Sequence, residues 1–280
     1  GQGYNGDGTP ATNFTLNAPI GIAVAGAQAL FMDAGNSRLR KVEAGALTTV
    51  VSDGSSGFAG DGGLASAAKL DGPVGVAVDA AGNYYIADTN NHVIRKVNAG
   101  DKKINTIAGT PGVASTEPGA ANGDGGAALA ATFNKPSAVA VDAAGNIYVA
   151  DTGNNRVRKI GTDGNISTVA GTVGAGAPTL NGPSSVAVFN NIVFIADPGN
   201  HVVRSVAANG TVSATTVTTD NQGVASFDVT ATAGGSGTVT VFGTPVDITL
   251  AERIEGLDAV TLRSLTAYAY LRPVLHAQAA

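Results

Sequence analysis

Residues 147–160 read IYVADTGNNRVRKI, and three further stretches say nearly the same thing: 29–42 (ALFMDAGNSRLRKV), 84–97 (YYIADTNNHVIRKV) and 192–206 (IVFIADPGNHVVRSV). In every copy an Asp (Asp33, Asp88, Asp151, Asp197) is followed by an Asn (Asn36, Asn91, Asn154, Asn200) and then an Arg (Arg40, Arg95, Arg158, Arg204), always at the same offsets. The copies recur at intervals of roughly 50 residues, a period that marks an array of one supersecondary unit. An array outranks any single-motif reading, because each unit buries its apolar face only by stacking on its neighbours.

The unit is larger than this phrase. Upstream of three copies lies a Gly-Asp-Gly loop, at residues 1–18, 57–71 and 121–134, and each loop leads to a proline: Pro19, Pro73 and Pro136. Between the proline and the Asp phrase lies a short apolar run. In the second copy this is VGVAVD (74–79), closed by AAGN (80–83). Gly and Asn tolerate the positive φ that tight hairpins require, so AAGN predicts a hairpin turn. Each unit then reads as four short antiparallel strands, apolar on both faces, which is the pattern of a propeller blade. The expected fold is all-β: a β-propeller of four blades near 19–51, 73–109, 136–171 and 183–217, within a domain at 1–218. The fourth unit has a short preceding loop and no Gly-Asp-Gly.

After residue 218 the repeat ends. Residues 219–250 alternate apolar and polar positions and predict a β-meander, either a degenerate fifth blade or an immunoglobulin-like piece. A fifth blade is favoured, since a sandwich needs roughly 100 residues and four blades alone leave a sheet edge open. In the tail, 251–280, Ile254, Leu257, Leu265, Tyr268 and Leu271 fall at helical spacing before Pro273, which predicts an amphipathic helix with an interface face.

Composition narrows the function. The 280 residues include 39 Gly and no Cys, only 13 % are charged, and the formal net charge is −5. Nucleic-acid binding is disfavoured, because displacing counterions from phosphate takes clustered Lys and Arg. The absence of Cys removes disulfides, thiolate metal sites and a Cys nucleophile. No apolar run approaches the ~18 residues of a membrane span.

The repeated Asp, Asn and Arg predict structure rather than catalysis, since every unit needs its own turn while an active site is built once. The Asp is expected to accept amides of the following turn, the Asn to take its left-handed φ, and the Arg to pair with a carboxylate between blades. Asp7, Asp61 and Asp124 of the Gly-Asp-Gly loops are weak calcium candidates. Each loop offers one acid where calcium takes about six to eight oxygens. His92, His201 and His276 do not assemble the three or four convergent ligands of a zinc site. No cofactor is implied.

The phrase running from Pro73 through "VGVAVDAAGNYYIADTNNHVIRKV", and again from Pro136 to Ile160, resembles the NHL-repeat family of β-propellers. The resemblance covers residues 1 to about 217, more loosely in the first and fourth copies. Its Gly-Asp-Gly loops look like those of large secreted bacterial members. It implies the propeller fold and leaves function open, because the family includes RNA-binding, protein-binding, sensor and lyase members; the lyases hold a metal through His near the propeller axis. The expected function is a non-enzymatic scaffold, secreted, at the cell surface or periplasmic, that contacts a protein partner or assembles with itself through its tail. A metal-dependent lyase or lactone hydrolase and a ligand sensor are the alternatives.

Overall fold

The computed structural model describes residues 3–115, 122–171 and 179–207, together with strands at 217–218, 224–231, 235–242 and 249–254. Four of its five sheets are blades. The first comprises β1 (Pro19–Ala25), β2 (Gln28–Asp33), β3 (Arg38–Glu43) and β4 (Ala46–Val51); the second, β5 (Val76–Val78), β6 (Tyr84–Asp88), β7 (Val93–Val97) and β8 (Ile104–Ala108). The third comprises β9 (Pro136–Val141), β10 (Ile147–Asp151), β11 (Arg156–Ile160) and β12 (Ile166–Gly171); the fourth, β13 (Ser185–Phe189), β14 (Ile192–Asp197), β15 (Val202–Ala207) and β16 (Val217–Thr218). Within each blade the strands lie in chain order and run antiparallel.

The hairpins form where the Gly and Asn lie. Asp79 accepts hydrogen bonds from the Asn83 amide (2.9 Å) and side chain (2.7 Å) across the AAGN turn, with Gly82 at φ 82°. Asp142 and Asn146 repeat this in the third blade. The Tyr85 and Tyr148 hydroxyls donate to the same two carboxylates. These rings fill the space between blades while their polar ends stay bonded.

Blades stack through their faces. The first strands adjoin in series, β1 on β5, β5 on β9 and β9 on β13, so they line the inside of the arc. Between the first and second blades Ala23, Leu30 and Met32 pack on Val76, Val78 and Ile86. Between the second and third, Ala77, Tyr85 and Ala87 meet Val139, Ile147 and Val149. Between the third and fourth, Ala140, Tyr148 and Ala150 meet Val186, Val193 and Ile195. One face of each blade thus carries an inner-strand Ala, and the opposite face carries Val and Ile. Strands covered on both faces read apolar throughout. The inner strands approach so closely that a Cβ on Gly75 would lie 2.7 Å from the Cα of Ala138, which leaves room only for glycine there.

Polar links reinforce the stack. The buried Thr89 hydroxyl donates to the Pro136 carbonyl (2.8 Å), and Thr152 donates to Pro183 (2.8 Å). Ala34 and Pro198 hold this position in the first and fourth blades, so the link joins the second blade to the third and the third to the fourth, but not the first to the second.

Strands β17 (Val224–Ala231), β18 (Gly235–Phe242) and β19 (Thr249–Ile254) form a three-stranded antiparallel sheet, ordered as a meander. The last strand of the expected meander runs past residue 250 to Ile254. Residues 251–254, assigned to a helical tail from the sequence, are therefore strand. Ile254 pairs with Gly237, and cross-strand pairing overrides the helical spacing. Leu257, Leu265, Tyr268 and Leu271 lie outside the described residues. Among those described the only helices are single 3-10 turns, and no helix is long and apolar enough to cross a membrane.

Thr152→Val keeps the shape of the side chain and removes the donor to Pro183. The orphaned buried carbonyl is expected to lower stability by about 1–3 kcal/mol, measured as a shift of the urea midpoint.

Candidate functional site

The repeated Asp, Asn and Arg of each blade converge on one another. Each Asp ends the second strand fully buried. Its Oδ1 accepts a backbone amide: Asn17 to Asp33 (2.6 Å), Asp71 to Asp88 (2.8 Å), Asn134 to Asp151 (2.8 Å) and Asn181 to Asp197 (2.7 Å). Its Oδ2 accepts the Nδ2 of the repeat Asn at 2.8–2.9 Å in all four blades. The Arg completes the set: Arg40 to Asp33 at 3.2 Å, Arg95 to Asp88 at 3.4 Å, Arg158 to Asp151 at 3.8 Å and Arg204 Nε to Asp197 at 2.7 Å.

Three expectations are corrected by this geometry. The amide on each Asp comes from the segment before the inner strand, two residues ahead of the proline, and not from the following turn. That makes the Asp a clasp between the entry and the second strand of its own blade. The left-handed residue is not the repeat Asn but its successor: Ser37 (φ 52°), His92 (58°), Asn155 (53°) and His201 (56°). The Asn is freed to donate to the carboxylate. The Arg pairs within its own blade rather than between blades. The signal that was overlooked is the Asn or Asp two residues before each proline, visible as NAP, DGP, NKP and NGP.

The Gly-Asp-Gly loops supply the other half of the arginine's environment. Asp7, Asp61 and Asp124 reach Arg40, Arg95 and Arg158 at 2.8, 2.6 and 2.7 Å, and all three guanidinium groups are fully buried. Each guanidinium also donates to a loop carbonyl: Arg40 to Gly6, Arg95 to Ala59 and Arg158 to Asn122. An aromatic ring covers each cation: Tyr4 over Arg40, Phe58 over Arg95 and Phe133 over Arg158, at 4.6–5.1 Å from the ring centre. The fourth strand takes part where its Thr meets the loop acid, as Thr49 does with Asp7 and Thr168 with Asp124. Register shifts opposite Leu39/Arg40, Ile94/Arg95 and Val157/Arg158 leave one extra residue on the fourth strand, Val50, Ile107 and Val169, so a bulge faces each Arg. Such a bulge bends the strand that carries it.

The calcium candidates are thus the counter-ions of the buried arginines. Among the described residues no three His, Asp or Glu side chains gather into a metal-binding group. Each loop also pairs with the outermost strand of its blade, Gly8 with Leu47, Leu64 with Lys103 and Ala127 with Asn165, and so covers an edge that would otherwise be exposed. In the fourth blade, which lacks the loop acid, Arg204 leans on Asp197 and the Thr179 carbonyl.

His92 takes no part in a ligand cluster. Burial, and after it the charge of Lys135, hold its imidazole below the ordinary value, and its Nδ1 accepts the Lys135 amide of the next blade at 3.1 Å. Asn155 does the same for Gly182 at 2.7 Å. These left-handed residues are therefore blade-to-blade links.

Burial pushes the carboxyls of Asp88 and Asp151 up to about 6, with the amide, Asn and Arg contacts offsetting part of that cost. An unfolded Asp titrates at about 3.9. Both groups bind protons more tightly in the fold, so their contribution to stability is fullest below about pH 3.9 and is lost as pH rises through about 6. Acidification from pH 7 to 5 is expected to raise the urea midpoint at these sites, and Asp151→Asn to shrink the rise. Asp124→Ala leaves the Arg158 charge buried with one carboxylate at 3.8 Å, and a loss of about 3–5 kcal/mol is expected. Asp7→Ala should cost less, because Asp7 is partly exposed; paired unfolding curves test the order.

Comparison with known proteins agrees with this architecture. Residues 133–160 match the NHL repeat model, and residues 52–124 match the model of the teneurin NHL domain. The chain is 38 % identical over 93 residues to NHL repeat-containing protein 2 of Bos taurus, covering 32 % of this chain and 12 % of that protein. It is 36 % identical over 99 residues to teneurin-4 of Homo sapiens, covering 33 % and 4 %. The chain thus spans a small fraction of the length of these relatives. Among solved structures, streptogramin B lyase superposes with a TM-score of 0.51 at 11 % identity, over 84 % of this chain and 68 % of that one. A chain of the nidogen/laminin complex gives 0.50 at 16 % identity, over 71 % and 63 %. These structural likenesses concern the fold alone. Four in-register repeats, each folded as a four-stranded blade around the same Asp–Asn–Arg set, with NHL models matching the stretches of the second and third, make this chain a β-propeller of NHL-type repeats.

Proposed function

We propose that the chain is a non-enzymatic interaction scaffold, secreted or displayed at a cell surface, that contacts a protein partner or assembles with itself. The observation that carries this reading is the commitment of the repeat's ionic groups. Asp7, Asp61 and Asp124 hold buried arginines, while Asp33, Asp88, Asp151 and Asp197 clasp strands. Two of the loops also present a large apolar side chain to solvent: Leu64 is 57 % exposed and Leu129 59 %. Apolar side chains on loops held by a rigid scaffold suit protein contact. The extracellular setting rests on the resemblance of the Gly-Asp-Gly loops to those of secreted members. The tail, 251–280, supplies the self-assembling contact in this reading.

Two measurements on the purified full chain test it. Elemental analysis is expected to find no stoichiometric metal; one bound metal per chain would favour the lyase or lactone hydrolase alternative. Removal of residues 255–280, which leaves β19 intact, is expected to reduce the mass in solution, and an unchanged mass would exclude assembly through the tail.

A further inference from the structure

The residue directly before the entry proline of each blade lies in the left-handed region: Ala18 (φ 48°), Gly72 (51°), Lys135 (49°) and Gly182 (63°). At two interfaces the amide of this residue is turned back onto the preceding blade. Gly182 donates to Oδ1 of Asn155 (2.7 Å), and Lys135 donates to Nδ1 of His92 (3.1 Å). The two links occupy the same place in the repeat and differ in chemistry. Between the third and fourth blades the donor is a glycine, which takes a positive φ freely, and the acceptor is an amide oxygen that does not titrate. Between the second and third blades the donor is a lysine, held in a conformation that its Cβ disfavours, and the acceptor is an imidazole nitrogen. The adjoining Asn134 amide also ends on a titratable group, Asp151 Oδ1 at 2.8 Å. Consecutive amides at the entry of the third blade therefore both rest on side chains that change charge in mildly acidic solution.

We propose that the joint between the second and third blades is a pH-sensitive latch, with His92 as its titrating acceptor and Asn155 as the fixed counterpart one interface further on. While Nδ1 accepts the Lys135 amide, the single proton of the ring sits on Nε2. A second proton has to add at Nδ1, where it faces an N–H; two donors then oppose each other and the bond is lost. Burial, and after it the charge of Lys135, disfavour the imidazolium, and Lys135 is the charged group among the described residues that acts on this ring. Gly109, at the end of β8, packs against the His92 carbonyl and brings no charge. Asp88, ahead of the same turn, is committed to Asn91 and Arg95. The fold prefers the neutral ring, so the link is intact above the ordinary value of about 6.5 and is lost as pH falls through the lower value in the fold. Asp151 runs the other way, since burial favours its protonated form; a fall in overall stability is therefore not what marks the release. The loop that presents Leu129 ends at this joint, but the latch does not rest on what that loop contacts.

Amide hydrogen exchange of the full chain, read residue by residue by NMR and corrected for the intrinsic rate at each pH, tests the latch against its own counterpart. From about pH 7.5 to about 4.5, either side of the ordinary imidazole value, the protection of the Lys135 amide is expected to fall about tenfold relative to that of Gly182. His92→Asn installs the acceptor of the other interface and is expected to hold the ratio constant. Asn155→His is expected to make the Gly182 amide lose protection in acid instead. The His92 ring itself should titrate below about 6.5. A ratio that stays constant in the unmodified chain would overturn the proposal, as would one that falls equally in His92→Asn. So would a Gly182 amide indifferent to acid in Asn155→His, or a His92 ring that titrates above its ordinary value. The ratio in the unmodified chain and the titration of its ring need no variant to fold.

Discussion

A fully buried arginine lies at the centre of each of the first three blades, and much of the surrounding structure follows from keeping it neutralised. Removing a guanidinium from water costs several kcal/mol, roughly, unless carboxylates and carbonyls replace its hydration. The Asp at the end of the second strand provides one carboxylate and the Gly-Asp-Gly loop provides another. The two acids come from different segments, so the arginine ties the loop, the second strand and its own third strand into one unit. An aromatic ring closes the remaining side. The fourth blade shows what changes without the loop acid: Arg204 is no longer fully buried, and its nearest acid is the strand Asp alone.

The same economy explains why the repeat carries so many polar residues in a chain with only 13 % charge. Each Asp accepts an amide from the segment entering its blade, so the carboxylate fixes where the inner strand begins. The Asn beside it saturates the second oxygen. The left-handed residue that follows turns the chain and, as His92 or Asn155, reaches the amide of the next blade. Charge pairs set geometry within a blade. Hydroxyl and amide links, with the Ala-on-Val packing, set geometry between blades.

The loop acids illustrate how a motif can be read in two ways. A lone Asp between glycines has the look of a cation loop, and what decides against that reading is distance. Each loop acid lies 2.6–2.8 Å from a guanidinium, and this cation comes from a strand about 34 residues further along the chain. The glycines let the backbone approach closely enough to pair with the outermost strand and offer its carbonyls to the same Arg.

The sequence alone determined the array, the strands and the hairpin turns. Periodicity, alternation and the positive φ of Gly and Asn are local properties, fully written in residues such as 79–88. It also favoured a structural role for the Asp, Asn and Arg, since every unit needs its own turn. The partners of those residues were another matter. Arg158 meets Asp124 and Asp151, and Asp151 meets the Asn134 amide, only when distant segments are brought together; nothing in local spacing says which acid neutralises which base. The helical spacing that starts at Ile254 misled for the same reason, because its pairing with Gly237 is a tertiary event. That His92 meets the Lys135 amide is decided only by the stacked blades, since in the sequence the two lie 43 residues apart.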